Sequence, residues 1–366
     1  MNFLRCEEKN VILDLEQQRL SMLIAGESRM GKTYFMSQYG SYLLEAGEIV
    51  HLIDLGDKWS SEDKQRTGIH KIMHRKDGID IYFESVDSLL SCVRFFANAL
   101  GYSSGEVIET LKKAMKRLVE NQQNGFTLAE LVKVLENQKD SQAAQKVFER
   151  LDCGQTIPNV RFSVNKIRAL ETTMTSTIWD LAGYDDWSLS VVSQLIIYSL
   201  YEMKRSIFHQ GKRKKRTFVF LDEFQNLNYQ QNSIIGKCLT EGQKYDMYMV
   251  LATQFLHGKF SDAVKNQFKQ GGFQIFFRMT EEEAVTTAGR LEYETERQKE
   301  LREILSNLPQ GRFLLKGVHR IDGCAQVTER LRVIDVQPAA KEEDTKTIEK
   351  KHKKSTVICV QNKNYR

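Results

Sequence analysis

Leu20-Ser21-Met22-Leu23-Ile24-Ala25-Gly26-Glu27-Ser28-Arg29-Met30-Gly31-Lys32-Thr33 carries a short apolar run into a glycine-bearing loop that ends on a lysine and a threonine. The run is too short for a buried helix and reads as a strand. The next segment, TYFMSQYGSYLLEAG to Gly47, has helical apolar spacing, and EIVHLIDLG is a second short strand ending at Asp54 and Gly56. Strand, loop, helix and strand complete a βαβ unit and predict a parallel sheet. Gly26 to Thr33 fits GxxxxGK[ST] without a departure, in the strand-to-helix setting that pattern requires.

The chemistry of that pattern is physical. Glycines let the backbone wrap so that successive N–H groups face phosphate oxygens, at a helix start whose partial positive charge favours anions. Gly26, Glu27, Ser28, Arg29, Met30, Gly31, Lys32, Thr33 and Tyr34 are therefore the expected nucleotide-binding stretch. Lys32 is expected to neutralise the β- and γ-phosphates, and Thr33 to offer its hydroxyl to Mg²⁺. Such a loop needs a carboxylate at the end of another strand. Thr217-Phe218-Val219-Phe220-Leu221-Asp222-Glu223 supplies it: an apolar strand from which two acids emerge. Asp222 is the expected metal-side acid and Glu223 the general base for an attacking water. The strand MYMVLATQ ends in Thr253-Gln254, whose amide is placed to reach the γ-phosphate or its water. ATP and Mg²⁺ are the expected cofactors.

Outward from these motifs, residues 84 to 166 change character: SVDSLLSCVRFFANAL, SGEVIETLKKAMKRLVEN, TLAELVKVLENQ and DSQAAQKVFERLD all carry helical spacing with little strand-like alternation. They read as a helical insertion. Strand character returns at TSTIWDLAG, and a long amphipathic helix is expected over roughly Leu189 to Arg205. The remainder alternates strands (TFVFLDE, MYMVLATQ, FQIFFRM) with helices (QQNSIIGKCLTEGQKY, SDAVKNQFKQ) and two polar helices reaching Asn307. Two strand-like pieces, GRFLLKG and TERLRVIDV, close the domain. The expected organisation is a first core part over 1–83, the insertion over 84–166, a second core part over 167–336 and a charged tail over 337–366.

Bulk composition bounds the reading. The chain has 366 residues, 41% hydrophobic and 28% charged, ordinary globular values that argue against wholesale disorder. A net charge of +5 is compatible with nucleic acid but far from the footprint of a DNA-coating protein. The six cysteines show no CxxC spacing, which fits a reducing cytosol better than disulfides or zinc. No uncharged apolar run reaches the ~20 residues of a spanning helix, and the amino terminus lacks a signal-peptide core, so a cytoplasmic protein is expected. His70 and His74 are four apart without a third ligand, and no metal site is expected there. The run Lys212-Arg213-Lys214-Lys215-Arg216 is read as a solvated loop, with contact to a nucleic-acid backbone as the alternative.

The phosphate loop, a strand running into Asp-Leu-Gly-Asp-Lys-Trp, a helical insertion, Phe-Leu-Asp-Glu-Phe, then Leu-Thr-Glu-Gly-Gln-Lys and Ala-Thr-Gln, in this order, resemble the HerA/FtsK superfamily of motor ATPases, which includes the coupling and secretion ATPases of conjugation. Leu308-Pro309-Gln310-Gly311-Arg312-Phe313 resembles the stretch before the last core strands of that family. The likeness covers Leu20 to about Val336. It implies an α/β, RecA-like P-loop NTPase core with a mostly parallel central sheet, a homo-oligomeric, hexameric ring, and DNA or, in some branches, secreted protein as the cargo, with membrane secretion or effector proteins as further partners. A scaffold switched by ATP and paired with a nuclease or effector in phage defence is a further alternative. Where coupling-type members carry an Arg-Lys pair acting on the neighbouring subunit, this chain has Gln243 and Lys244. Lys244, Arg278 and Arg290 are the candidate trans-acting cations. The amino-terminal membrane helices of coupling proteins and the β-barrel ahead of HerA-type cores are also missing from the pattern.

Overall fold

The structure, a computed structural model, describes residues 3–16, 19–55, 58–122, 125–138, 141–152, 159–211, 215–227, 233–256, 266, 272–322 and 331–337. The chain divides into two units, Gln18–Ala25 with Lys32–Gly272, and Met1–Gln17 with Gly26–Gly31 and Phe273–Arg366. These cuts do not follow the expected boundaries at 83, 166 and 336.

After β1 (Leu4–Cys6) and β2 (Lys9–Leu13), which belong to the second unit, the first unit opens with β3 (Met22–Ala25). Its sheet also holds β4 (Ile49–Asp54), β5 (Lys71–His74), β9 (Thr177–Asp180), β10 (Thr217–Leu221) and β11 (Met247–Thr253), ordered β3-β11-β10-β4-β9-β5. Every neighbouring pair is parallel. Every residue of β3, β4, β10 and β11 is buried, as expected of parallel strands covered on both faces, whose sequences run apolar rather than alternating. The sequence pattern predicts β3, helix and β4 as one βαβ unit; in the structure β11 and β10 lie between these strands. The register Ala25↔Thr253, Leu221↔Leu251, Leu221↔Ile53 and Asp54↔Asp180 brings the carboxyl ends of five strands to one edge. At such an edge open α/β sheets place their ligands.

Helix α1 (Lys32–Glu45) covers this sheet because Phe35, Met36, Tyr39 and Leu43 fall on one face and are buried. The Tyr39 ring lies edge-on to Phe218 at 6.4 Å and 6.1 Å from Phe220, both on β10. A short helix α2 (Ser61–Arg66) is started by the Ser60 hydroxyl, which accepts from the Asp63 amide.

Between β5 and β9 lies the expected helical segment. It holds α3 (Val86–Ser91), α4 (Val93–Ala99), α5 (Gly105–Asn121), α6 (Leu128–Glu136) and α7 (Gln142–Asp152), followed by α8 (Lys166–Met174). Thr127 and Glu130 cap α6 reciprocally. A three-stranded sheet of β6 (Ile79–Phe83), β7 (Phe126–Thr127) and β8 (Val160–Val164), ordered β6-β8-β7, corrects the purely helical reading. Its strands escape notice in the sequence because they are short and find their partners far along the chain, Ile79 with Val160 and Phe126 with Phe162. Helix α9 (Asp186–His209), capped by Asp185, is longer than the expected span, and α10 (Ile234–Glu241) precedes a 3-10 turn at Gly242–Tyr245. No helix among the described residues is long and apolar enough to cross a membrane.

The second unit carries the antiparallel order β14-β2-β1-β15-β13-β12, with β12 (Phe273–Phe276), β13 (Arg312–Gly317), β14 (His319–Ile321) and β15 (Arg332–Val336). The sequence pattern predicts β12, β13 and β15 but not β1, β2 or β14. The two polar helices are Glu281–Leu291 and Thr295–Asn307. Apart from Asn266, the expected helix SDAVKNQFKQ lies outside the described residues, as do the basic residues 212–214 and the charged tail beyond 337.

Candidate functional site

The loop 26–31 leaves β3 and returns as α1, and its own contacts fix its backbone. Gly26 has φ +146°, and a Cβ there would stand 2.6 Å from Phe277 Cβ and 2.9 Å from the Arg278 carbonyl oxygen. Only glycine lets the chain pass so close. The Glu27 amide donates to the Arg278 carbonyl at 2.8 Å, and Arg278 Nε donates to Glu27 Oε2 at 2.9 Å. Arg29 is left-handed at φ +61°, and Gly31 comes next but one at φ +106°. Gln310 Nε2 donates to the Arg29 carbonyl at 2.9 Å, and the Gly311 amide donates to the Met30 carbonyl at 3.0 Å. The Leu308–Pro309–Gln310–Gly311 stretch thus holds the loop by its carbonyls. Ser28 and Arg29 are exposed, whereas Met30 is buried.

Lys32 and Thr33 begin α1, and Asp222 and Glu223 leave the end of β10. The Thr33 hydroxyl donates to Asp222 Oδ2 at 2.6 Å across 189 positions of chain. Asp222 is 3% exposed, and burial pushes its carboxyl up from the ordinary carboxylate range, against the pull of the Thr33 hydroxyl and the Lys32 ammonium. A hydroxyl and a carboxylate side by side are the hard oxygen donors that Mg²⁺ accepts alongside phosphates and water, so the donor set fits that ion. No group of three or more His, Cys, Asp or Glu able to hold a metal occurs among the described residues. A magnesium ion bound mainly through phosphate oxygens needs none.

Glu223 turns the chain sharply. It adopts φ +51° and ψ +40°, a left-handed conformation uncommon outside glycine, and its amide donates to Asp222 Oδ1 at 2.9 Å. Local strain of this kind clusters at functional positions. Gln254 Nε2, at the end of β11, donates to Glu223 Oε1. Lys58 Nζ lies 3.1 Å from Glu223 Oε2. The Lys58 amide in turn donates to Asp54 Oδ1 at 3.0 Å, and Asp54 Oδ2 is 2.7 Å from Lys64 Nζ on α2. Lys64 also faces Asp180 at 3.6 Å, where His74 closes the row at 3.1 Å. Burial raises the Asp54 carboxyl despite Lys64.

Sequence reasoning assigns Lys58 and Gln310 no part in the site, although both lie in stretches that carry the family likeness. The carboxyl-end position of Asp54 is the available signal for the first. Tyr34, expected with the nucleotide stretch, has the Arg66 guanidinium over its ring at 4.6 Å and Gln38 Nε2 at 3.1 Å from its hydroxyl. Lys244 sits exposed on the 3-10 turn after α10, and Arg290 sits exposed on the helix Glu281–Leu291. Arg278 is paired with Glu27. Of the basic run, Arg216 Nε binds Glu48 Oε1 at 2.8 Å, and the Lys215 carbonyl accepts from Lys204 Nζ at 2.8 Å.

No protein-family model matches the chain, and no curated protein matches it in sequence. Among solved structures it is similar to VirB4 of Thermoanaerobacter pseudethanolicus, with TM-score 0.60 and 12% identity over 87% of this chain and 90% of that one. The bacterial conjugative coupling protein TrwBΔN70, in its unbound monoclinic form, gives TM-score 0.59 and 13% identity over 90% of this chain and 93% of that one. TrwB in complex with ADP and Mg²⁺ gives 0.53 and 14% over 91% and 96%. At these identities the likeness is one of fold. The chain shares the RecA-like α/β fold of these structures, with a large, mostly parallel sheet.

Proposed function

We propose that the chain is an ATP-hydrolysing P-loop motor of the HerA/FtsK type, working in the cytoplasm as a homo-oligomeric, hexameric ring that moves or pumps DNA for a conjugative or phage-related system. The observation that carries the reading is the contact of Thr33 with Asp222, beside Lys32, at the edge where Glu223 and Gln254 also meet.

In this reading residues 26–34 hold the nucleotide, with the loop amides and the Lys32 ammonium on its phosphates. Thr33 and Asp222 would hold Mg²⁺, which when bound would offset negative charge on the phosphates. Glu223 accepts a proton from water as the water oxygen bonds to the γ-phosphorus. The bond from that phosphorus to the bridging oxygen breaks, and ADP departs with the electron pair, leaving phosphate. Gln254, bonded to Glu223, orients the base and the water. Lys244, Arg278 or Arg290 of a neighbouring copy supplies the further charge. Arg278 must first give up Glu27 to do so. The helical segment 84–166 is the place for subgroup-specific partners.

Purified protein is expected to hydrolyse Mg-ATP, and Lys32→Ala to abolish turnover. Retained turnover in that variant refutes the enzymatic reading. DNA at low salt is expected to stimulate turnover, and particle images with ATP to show rings. A rate indifferent to DNA, with no DNA binding at low salt, turns the reading to its alternatives: a protein-secretion ATPase, or an ATP-switched scaffold that partners an effector.

A further inference from the structure

We infer that Lys58 is a positioning residue that restrains Glu223, so that release of its ion pair sets the rate at which this chain turns over nucleotide. The inference rests on the reading of Glu223 as general base. A carboxylate that takes a proton from water must direct a lone pair at that water. In the structure both oxygens of Glu223 already have partners, Gln254 Nε2 on Oε1 and Lys58 Nζ at 3.1 Å on Oε2. The left-handed backbone at Glu223, fixed by its amide on Asp222 Oδ1, leaves the side chain rotamers as the means of reorientation.

Of the two partners, Lys58 is the one built to let go. Its side chain is 39% exposed, and an ion pair that open to solvent is weak and salt-sensitive. Its backbone stays where it is, because its amide is bonded to Asp54, which Lys64 holds in place. The ammonium therefore moves on a fixed base. A recess of 250 Å³ adjoins it, lined in part by Lys58, Gly183, Asp186 and Asn226. Asp186 gives that recess a second carboxylate for the ammonium. The contact also ties the base to β4 and, through Asp54 and Lys64, to Asp180 at the end of β9.

The test is steady-state Mg-ATP turnover of the full chain for wild type, Lys58→Ala, Lys58→Arg, Glu223→Gln and the double variant Lys58→Ala/Glu223→Gln. Lys58→Ala is expected to raise kcat about two- to fivefold, the range an exposed ion pair can supply, with KM for ATP unchanged. Lys58→Arg is expected to keep the wild-type rate. Added salt is expected to raise wild-type kcat relative to that of Lys58→Ala. A kcat that falls or stays level in Lys58→Ala, with Glu223→Gln inactive in both backgrounds, overturns the restraint and leaves the reading of Glu223 standing. Turnover surviving in Glu223→Gln removes the general base itself. Should Lys58→Ala not fold, salt on the wild type decides, since a rate that only declines with salt refutes the restraint.

Discussion

His51 makes the stability of the site-bearing sheet depend on pH in a way that can be worked out. It lies on β4, wholly buried, with its register partner Val219 on β10. Trp179 Nε1 donates to its Nδ1 at 3.4 Å, and its Nε2 faces the Thr173 carbonyl at 3.3 Å. This pairing suits the neutral ring protonated at Nε2. Burial lowers its pKa from 6.5 to about 4, opposed by the Thr173 carbonyl and assisted by Lys71 and Lys204. The folded pKa is depressed, so the unfolded chain takes up the proton first. The stabilisation is complete above 6.5 and is lost as pH falls toward about 4. At about 1.36 kcal/mol per unit the full loss is roughly 3 kcal/mol, of which about 2 kcal/mol is already gone at about pH 5. Denaturant unfolding of wild type and His51→Gln at about pH 7.5 and pH 5 isolates the effect, because the titrations common to both proteins cancel. The pH loss is expected to be smaller by about 2 kcal/mol in His51→Gln. An equal loss in both proteins refutes the assignment of His51 as a buried neutral imidazole.

The loop and the acid pair give further expected outcomes. Gly26→Ala should cost at least about tenfold in nucleotide affinity with far-UV circular dichroism retained, because its Cβ would meet Phe277 at 2.6 Å and φ +146° suits only glycine; titration with a fluorescent nucleotide reads it, and unchanged binding refutes it. Gln310→Ala removes one hydrogen bond to the Arg29 carbonyl, worth about 1 kcal/mol, so KM for ATP should rise about fivefold at nearly constant kcat. A drop confined to kcat contradicts that role. Because burial raises the Asp222 carboxyl, protonation should remove activity at a higher pH than an ordinary carboxylate would. Mg²⁺ competes with that proton, so raising its concentration should move the acid limb of the rate profile to lower pH, and a limb that ignores Mg²⁺ counts against Asp222 as the titrating group.

Much of the site-bearing unit is legible in the sequence because its signals are local. A loop of glycines between an apolar strand and a helix, and an apolar strand ending in two acids, each declare themselves within about ten residues. The parallel strands β3, β4, β10 and β11 are visible for the same reason, their sequences being largely apolar. The short pieces are not: β7 is two residues long, β14 three, and β6 and β8 pair across the whole helical segment. Their strand character comes from the partner, which no window of sequence contains.

The sequence by itself determined which residues are the candidates for phosphate and metal chemistry, and that they stand where strands end or a helix begins, since backbone propensity and apolar spacing act over a few positions. Only the tertiary structure decided which strand ends lie together. The order β3-β11-β10-β4-β9 sets Thr33 against Asp222 and, from opposite sides, Gln254 and Lys58 against Glu223. It is also the packed chain that closes residues 277–278 and 310–311 on the loop 26–31 within the second unit. These meetings join residues remote along the chain, and the burial and pairing that select them are properties of the packed whole.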